Sequence, residues 1–313
     1  AEFIRIRTKK GKVKEKEIDD SETLCGTMTV TRDLTNPVLS IEPAHASATA
    51  DSTPTLRISY SDANLDLTTL NITLAGLDIT SSFTATATEA VFTPSTPLAY
   101  SDGIVLSASI RDRAGNSSGT ISSTFTVDTR SPQISVDAPQ AGAFLTSPRP
   151  HMAVSFFDPV PGSGLVLSSF VAALDGQTVS EAFTVGAGGA SFTPTTDLAE
   201  GPHELVVSIQ DKVVHGATAT VSFVVDTRPP TITGPVDGSF VTTTTPTLTA
   251  TYADPTPGSA LDLATFQAIL SGADVSASFS RTSTSASYAV PASSPLADGP
   301  QVLELAIRDH AGL

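Results

Sequence analysis

The residues of this chain that could do chemistry are carboxylates, and they recur at a regular interval. Asp62, Asp158 and Asp254 each follow a short alternating apolar run, as do Asp112, Asp211 and Asp309. Asp128 and Asp226 sit just ahead of prolines 132 and 230. Groups of three carboxylates, with backbone carbonyls beside them, suit a hard cation such as Ca2+, which takes six to eight oxygen ligands. The competing reading is that each aspartate caps a turn by accepting a backbone N–H where a strand ends.

Other chemistry finds little material. The five histidines (His45, His151, His203, His215, His310) fall at different places in the repeat, and none belongs to a zinc-protease or nucleophile motif. Cys25 is alone, so no internal disulfide or paired-thiol metal site can form. A glycosidase pair drawn from the acids would be replicated in every copy, which is not how active sites are built. The chain is therefore expected to be no enzyme. With Lys212 the one lysine after residue 37, and that in a loop, a lysine–asparagine cross-link in each core is excluded. Asn71-Ile-Thr73 and Asn116-Ser-Ser118 match glycosylation acceptors, a pattern common by chance.

The elements that must position the acids come from internal repetition. Thr53-Pro-Thr-Leu-Arg-Ile-Ser-Tyr60 returns as Arg149-Pro-His-Met-Ala-Val-Ser-Phe156 and Thr245-Pro-Thr-Leu-Thr-Ala-Thr-Tyr252. Leu74 to Thr84, Leu174 to Thr184 and Leu270 to Ser280 form a second matched set. Phe125-Thr-Val-Asp-Thr-Arg-Ser-Pro132 matches Phe223-Val-Val-Asp-Thr-Arg-Pro-Pro230. A period of roughly 97 residues is too long for a solenoid unit and about the size of one β-sandwich. Leu56-Arg-Ile-Ser-Tyr60 and Val105-Leu-Ser-Ala-Ser-Ile110 alternate with period two, the pattern of half-buried strands. Turn dipeptides such as Asp102-Gly103 punctuate them. Repeat two is expected to hold strands over 133–137, 151–156, 169–174, 177–184, 189–193, 203–210 and 218–225. The step around Leu67, Leu167 and Leu263 reads as one helical turn.

Composition agrees. Of the 313 residues 40% are apolar and 16% charged, enough for several small cores and against wholesale disorder. No apolar run reaches the roughly 18 residues that span a bilayer. The formal charge of −15 opposes a nucleic-acid surface. Five of the six lysines lie between residues 9 and 16, so the first 36 residues are a piece unlike the rest.

Leu-Asp-Gly at 174–176, Arg-Asp-Arg-Ala-Gly-Asn at 111–116 and Val-Asp-Thr-Arg-Pro-Pro at 225–230 give residues 37–313 a resemblance. They resemble bacterial immunoglobulin-like tandem repeats of large secreted or cell-surface, adhesin-like proteins. Copy two departs from the pattern with Asp211-Lys-Val-Val-His-Gly, and copy one lacks the Pro-x-Pro-Gly insert of 159–162 and 255–258. The resemblance implies an all-β fold of tandem immunoglobulin-like β-sandwiches arranged as an elongated rod. Residues 1–36 would be the tail of a preceding domain, a tag-like segment or a donor strand. Repeats would span 37–130, 131–228 and 229–313, the last lacking its final strand. That ending reads as a fragment boundary, with self-association through strand donation by residues 27–34 as the alternative.

In such a sandwich, the loops opened by Asp158 and Asp211 face the preceding domain. Asp128, Asp158 and Asp211 are thus expected at one junction, and Asp226, Asp254 and Asp309 at the next, as candidate interdomain Ca2+ ligands. The function implied is a non-catalytic stalk or spacer of a bacterial extracellular or surface protein. An adhesive or carbohydrate-binding module, or an accessory region of a secreted enzyme or toxin, are the alternatives. The chain has no tryptophan for sugar stacking.

Overall fold

A computed structural model describes residues 31–313. Residues 1–30, including most of the expected N-terminal piece and the start of the 27–34 donor segment, lie outside the described residues. Residues 31–37 run without regular structure.

The alternating runs become strands whose apolar faces point inward. In the central sandwich Met152, Val154 and Phe156 are buried on one sheet, and Leu205, Val207, Ile209, Val221, Phe223 and Val225 face them from the other. The first sheet runs in the order Gln133–Ala138, Met152–Phe157, Gly189–Phe192, Thr184–Gly186. The second runs Phe144–Leu145, Gly216–Val225, Gly201–Asp211, Leu165–Leu174, Gln177–Thr178. Burial of one face per strand fixes register, because a one-residue slip would turn every apolar side chain to solvent. Phe156, Phe170, Phe183 and Phe192 form a run of tilted rings with centroids 5.3–5.8 Å apart across the core. Leu56, Ile58 and Tyr60, and again Leu248, Ala250 and Tyr252, take the places of Met152, Val154 and Phe156 in the flanking sandwiches.

Two local expectations are corrected. The step at Leu67, Leu167 and Leu263 is no helical turn. The strands Leu65–Leu74, Leu165–Leu174 and Leu261–Leu270 run straight through it with an irregular register. There a hydroxyl substitutes for a strand carbonyl: Thr69, Ser169 and Thr265 each accept the backbone N–H of Arg111, Gln210 and Arg308 at 2.8 Å. The expected strand over 177–184 is split by a 3-10 turn at Ser180–Ala182, repeated at Thr80–Ser82 and Ser276–Ser278. This turn carries the chain from one sheet to the other. Ser180 Oγ anchors it by accepting the Ala172 N–H at 2.9 Å. The short segments Ala48–Thr49 and Phe144–Leu145, parallel to the last strand of their sandwiches, had no sequence signal of their own.

The third sandwich differs at one edge. Among the described residues its second sheet has three strands, Ala273–Asp274, Leu261–Leu270 and Leu303–Asp309. Leu303 and Leu305 are half-buried where their counterparts Leu205 and Val207 are fully buried. Phe240, the counterpart of Phe144, is 98% exposed. A strand with one unpaired edge and partly wet side chains opens at lower cost. In hydrogen exchange, the amides of 303–309 in this chain are expected to exchange well before those of 201–211. Equal protection of the two strands would contradict this account.

Candidate metal centres at the domain junctions

Each junction is built by a linker aspartate that reaches into the following sandwich. Asp128 directly follows the strand Ile121–Val127, and Asp226 follows Gly216–Val225. Both are fully buried. The Ser163 N–H donates to Asp128 Oδ2 at 2.7 Å, and the Ser259 N–H to Asp226 Oδ2 at 2.6 Å. The second oxygen of each accepts the N–H two residues on, from Arg130 and Arg228. Burial opposes ionisation of both carboxyls. The hydrogen bonds from the serine and the arginine backbone outweigh it and hold both below the ordinary aspartate value.

Across from them stand the other acids. Asp254 and Asp309 meet Asp226, with one carboxylate oxygen from each lying within 4.8 Å of the others. At the preceding junction, Asp128 and Asp211 meet in the same way with His215, a residue the repeat comparison had left aside. Asp158 lies outside that tight group but close enough that the charges of Asp128 and Asp211 act on it. Burial first, then those two charges, push the Asp158 carboxyl above its usual value. Burial with Asp226 and Asp309 does the same to Asp254.

Turn capping accounts for part of this chemistry. Asp211 Oδ1 accepts the N–H groups of Val213 and His215 at 2.9 and 2.8 Å, and Asp309 Oδ1 that of Leu313 at 3.0 Å. Asp158 Oδ2 accepts the Gly164 N–H at 2.6 Å. The remaining oxygens are unexplained by caps. Asp158 Oδ1, Asp211 Oδ2, Asp254 Oδ1 and Asp309 Oδ2 are buried and have no hydrogen-bond partner among the described residues. An unpaired buried charged oxygen is costly, and four of them directed at two junctions form a donor set that fits a hard divalent cation.

The Pro-x-Pro-Gly insert shapes the same corner. A Cβ on Gly162 would come within 2.7 Å of both Asp158 Oδ2 and the Pro159 carbonyl. One on Gly258 would come within 2.8 Å of the Pro255 carbonyl and 3.1 Å of the Asp226 and Asp254 carboxylates. The insert carbonyls also receive the linker arginine. Arg130 Nη2 donates to the Pro159 and Val160 carbonyls at 3.2 and 2.9 Å, while its guanidinium lies 3.7 Å over the Tyr100 ring. Arg228 Nη2 donates to the Pro255 and Pro257 carbonyls at 3.3 and 2.6 Å. Glu200 holds Thr227 beside it.

A third cluster, Asp33 with Asp62 and Asp112, stands at the entrance of the first sandwich. Sequence reasoning missed Asp33. The available signal was its position four residues before Pro37, matching Asp128 before Pro132 and Asp226 before Pro230. Its carboxylates are better satisfied. Asp33 accepts from the Thr35 N–H and the Asn64 amide, and Asp112 accepts from the Asn116 N–H and side-chain amide at 2.8 and 2.7 Å.

Two outcomes test this geometry. Asp158→Asn and Asp254→Asn remove a charge that its neighbours oppose, so in chelator each should raise stability by roughly 1 kcal/mol, read as a higher melting temperature. A lower melting temperature in chelator would mean that no such repulsion exists. Arg130→Ala and Arg228→Ala should each cost about 1 kcal/mol and widen the interdomain distance distribution between spin labels on adjacent sandwiches. An unchanged distribution would show that the arginine does not hold the joint.

Residues 164–227, about a fifth of the chain, match a family described as "Bacterial Ig-like domain". No curated protein matches the chain. Among solved structures, the fibronectin(III)-like modules of Clostridium thermocellum CbhA are similar at 15% identity, covering 60% of this chain and 94% of theirs, with a TM-score of 0.32. Domains A168–A170 of titin are similar at 11% identity, covering 88% and 94%, with a TM-score of 0.38. The human desmocollin-1 ectodomain is similar at 14% identity, covering 89% and 57%, with a TM-score of 0.27. At such scores these structures bear on neither mechanism nor partners. Over residues 164–227 the central sandwich of this all-β chain is thus similar to a bacterial Ig-like domain, and its sequence pattern recurs on either side.

Proposed function

We propose that the chain is a non-catalytic stalk or spacer of a larger bacterial extracellular or surface protein. Its sandwiches would stand end to end as an elongated rod, holding a functional domain away from the cell. Ca2+ bound at Asp128, Asp158 and Asp211, and at Asp226, Asp254 and Asp309, would stiffen the joints.

The observation that carries this reading is the set of buried, unpartnered carboxylate oxygens at both junctions. Each junction draws its acids from two sandwiches, the linker aspartate from one and the loop aspartates from the next. A cation held by all of them binds only when the joint is closed, so binding free energy becomes joint stability. Without a cation, the like charges oppose closure. The arrangement also recurs from joint to joint, as a structural device does and a single active site does not. The arginine contacts to the insert carbonyls add a part of the stiffness that needs no ion.

The test is small-angle scattering and thermal melting of the 313-residue chain in Ca2+ and in chelator. Ca2+ is expected to raise the melting temperature, by the equivalent of about 2.7 kcal/mol at a hundredfold excess over Kd, and to narrow the distribution of overall lengths around an extended form. Identical curves in the two conditions would remove calcium from the proposal. A compact scattering profile in both would remove the stalk.

A further inference from the structure

The two joints are not chemically equal. The fourth residue after the loop aspartate is Asn116 in the first sandwich, His215 in the second and Leu313 in the third. We infer that the joint between the first and second sandwiches is a mixed nitrogen–oxygen site for a d-block divalent cation of the Zn2+ class. Its ligands are His215 Nδ1, Asp128 and Asp211, whereas the joint of Asp226, Asp254 and Asp309 offers oxygen alone. This rests on the reading of the joints as cation sites and assigns one of them a different ion.

The ligand atoms of Asp128, Asp211 and His215 lie within 4.8 Å of one another. Asp211 is 1% exposed and its Oδ2 accepts no hydrogen bond among the described residues, yet it lies 3.2 Å from His215 Nδ1. That separation matches the roughly 3.3 Å between two ligands of a tetrahedral zinc with bonds of about 2.0–2.1 Å. Nδ1 also lies 3.2 Å from the Arg130 carbonyl. A bound ion would take the Nδ1 lone pair of the neutral imidazole, whose proton is then on Nε2. Asp158 Oδ1, buried and without a partner among the described residues, stands at the same joint outside this group. Imidazole nitrogen suits Zn2+, Ni2+ and Co2+, while Ca2+ favours oxygen throughout. The ring edge is partly open, its side chain 28% exposed, which leaves a way in for the ion.

The experiment uses the full chain in a Cys25→Ser background, so that no thiol competes. Stripped protein is titrated with Co2+, followed by visible absorbance, and Zn2+ affinity is measured by competition. The expected result is intense d–d bands of nitrogen-bound cobalt that Zn2+ bleaches and equimolar Ca2+ does not. His215→Asn, which installs the first sandwich's own residue, should weaken Zn2+ binding at least about tenfold with far-UV circular dichroism unchanged. Equal Zn2+ affinity in the two proteins, or displacement of Co2+ by equimolar Ca2+, overturns the inference. If Ca2+ leaves the melting of both proteins unmoved while the cobalt bands depend on His215, the calcium reading fails and this one stands.

Discussion

The structure depends on how buried negative charge is satisfied where one sandwich meets the next. Asp128 and Asp226 are fully enclosed, and what stabilises them is supplied by the following domain through the N–H groups of Ser163 and Ser259. Hydrogen bonds to a charged group contribute about 1.5–3 kcal/mol each. Losing the partner would strand a buried carboxylate, so the linker cannot drift from the loop it enters without a large penalty. The other acids of each joint stand in the opposite position. They contribute charge that the donors among the described residues leave half unanswered.

Two features of the joints occur together. The Pro-x-Pro-Gly insert is present in the second and third sandwiches, and the linkers entering them carry Arg130 and Arg228. The first sandwich lacks the insert, and its entering linker has Thr35 at the matching place. The contacts give the reason. The insert turns its carbonyls outward to the guanidinium while its glycine makes room for the carboxylates behind it. Where neither part exists, Asn64 and Asn116 supply donors to the acids instead. One sandwich template thus carries two ways of quieting the same cluster of charge.

Much of the fold was legible in the sequence because its periods are local. Met152, Val154 and Phe156 alternate with polar residues, and that alternation fixes both strand and face. The repeats placed the same strand in three sandwiches. What misled was the apolar step at Leu67, Leu167 and Leu263. Its spacing imitates a helical turn, while the hydroxyls of Thr69, Ser169 and Thr265 hold it as a strand irregularity through partners about 40 residues away. The parallel pairing of Phe144–Leu145 likewise depends on a strand far along the chain, and two residues carry no period.

By itself the sequence determined the strands and their repetition, because composition and periodicity act over neighbouring residues. The gathering of acids at one end of each unit was implied by the resemblance to immunoglobulin-like repeats. Tertiary structure alone decided which oxygens remain unpaired, that Asp158 stands back from the tight group while His215 enters it, and that Asp33 repeats the arrangement at the first sandwich. Those outcomes turn on loop conformation. The loops are set by hydrogen bonds across long separations, such as Asp128 to Ser163 and Asp226 to Ser259, whose partners share no local pattern.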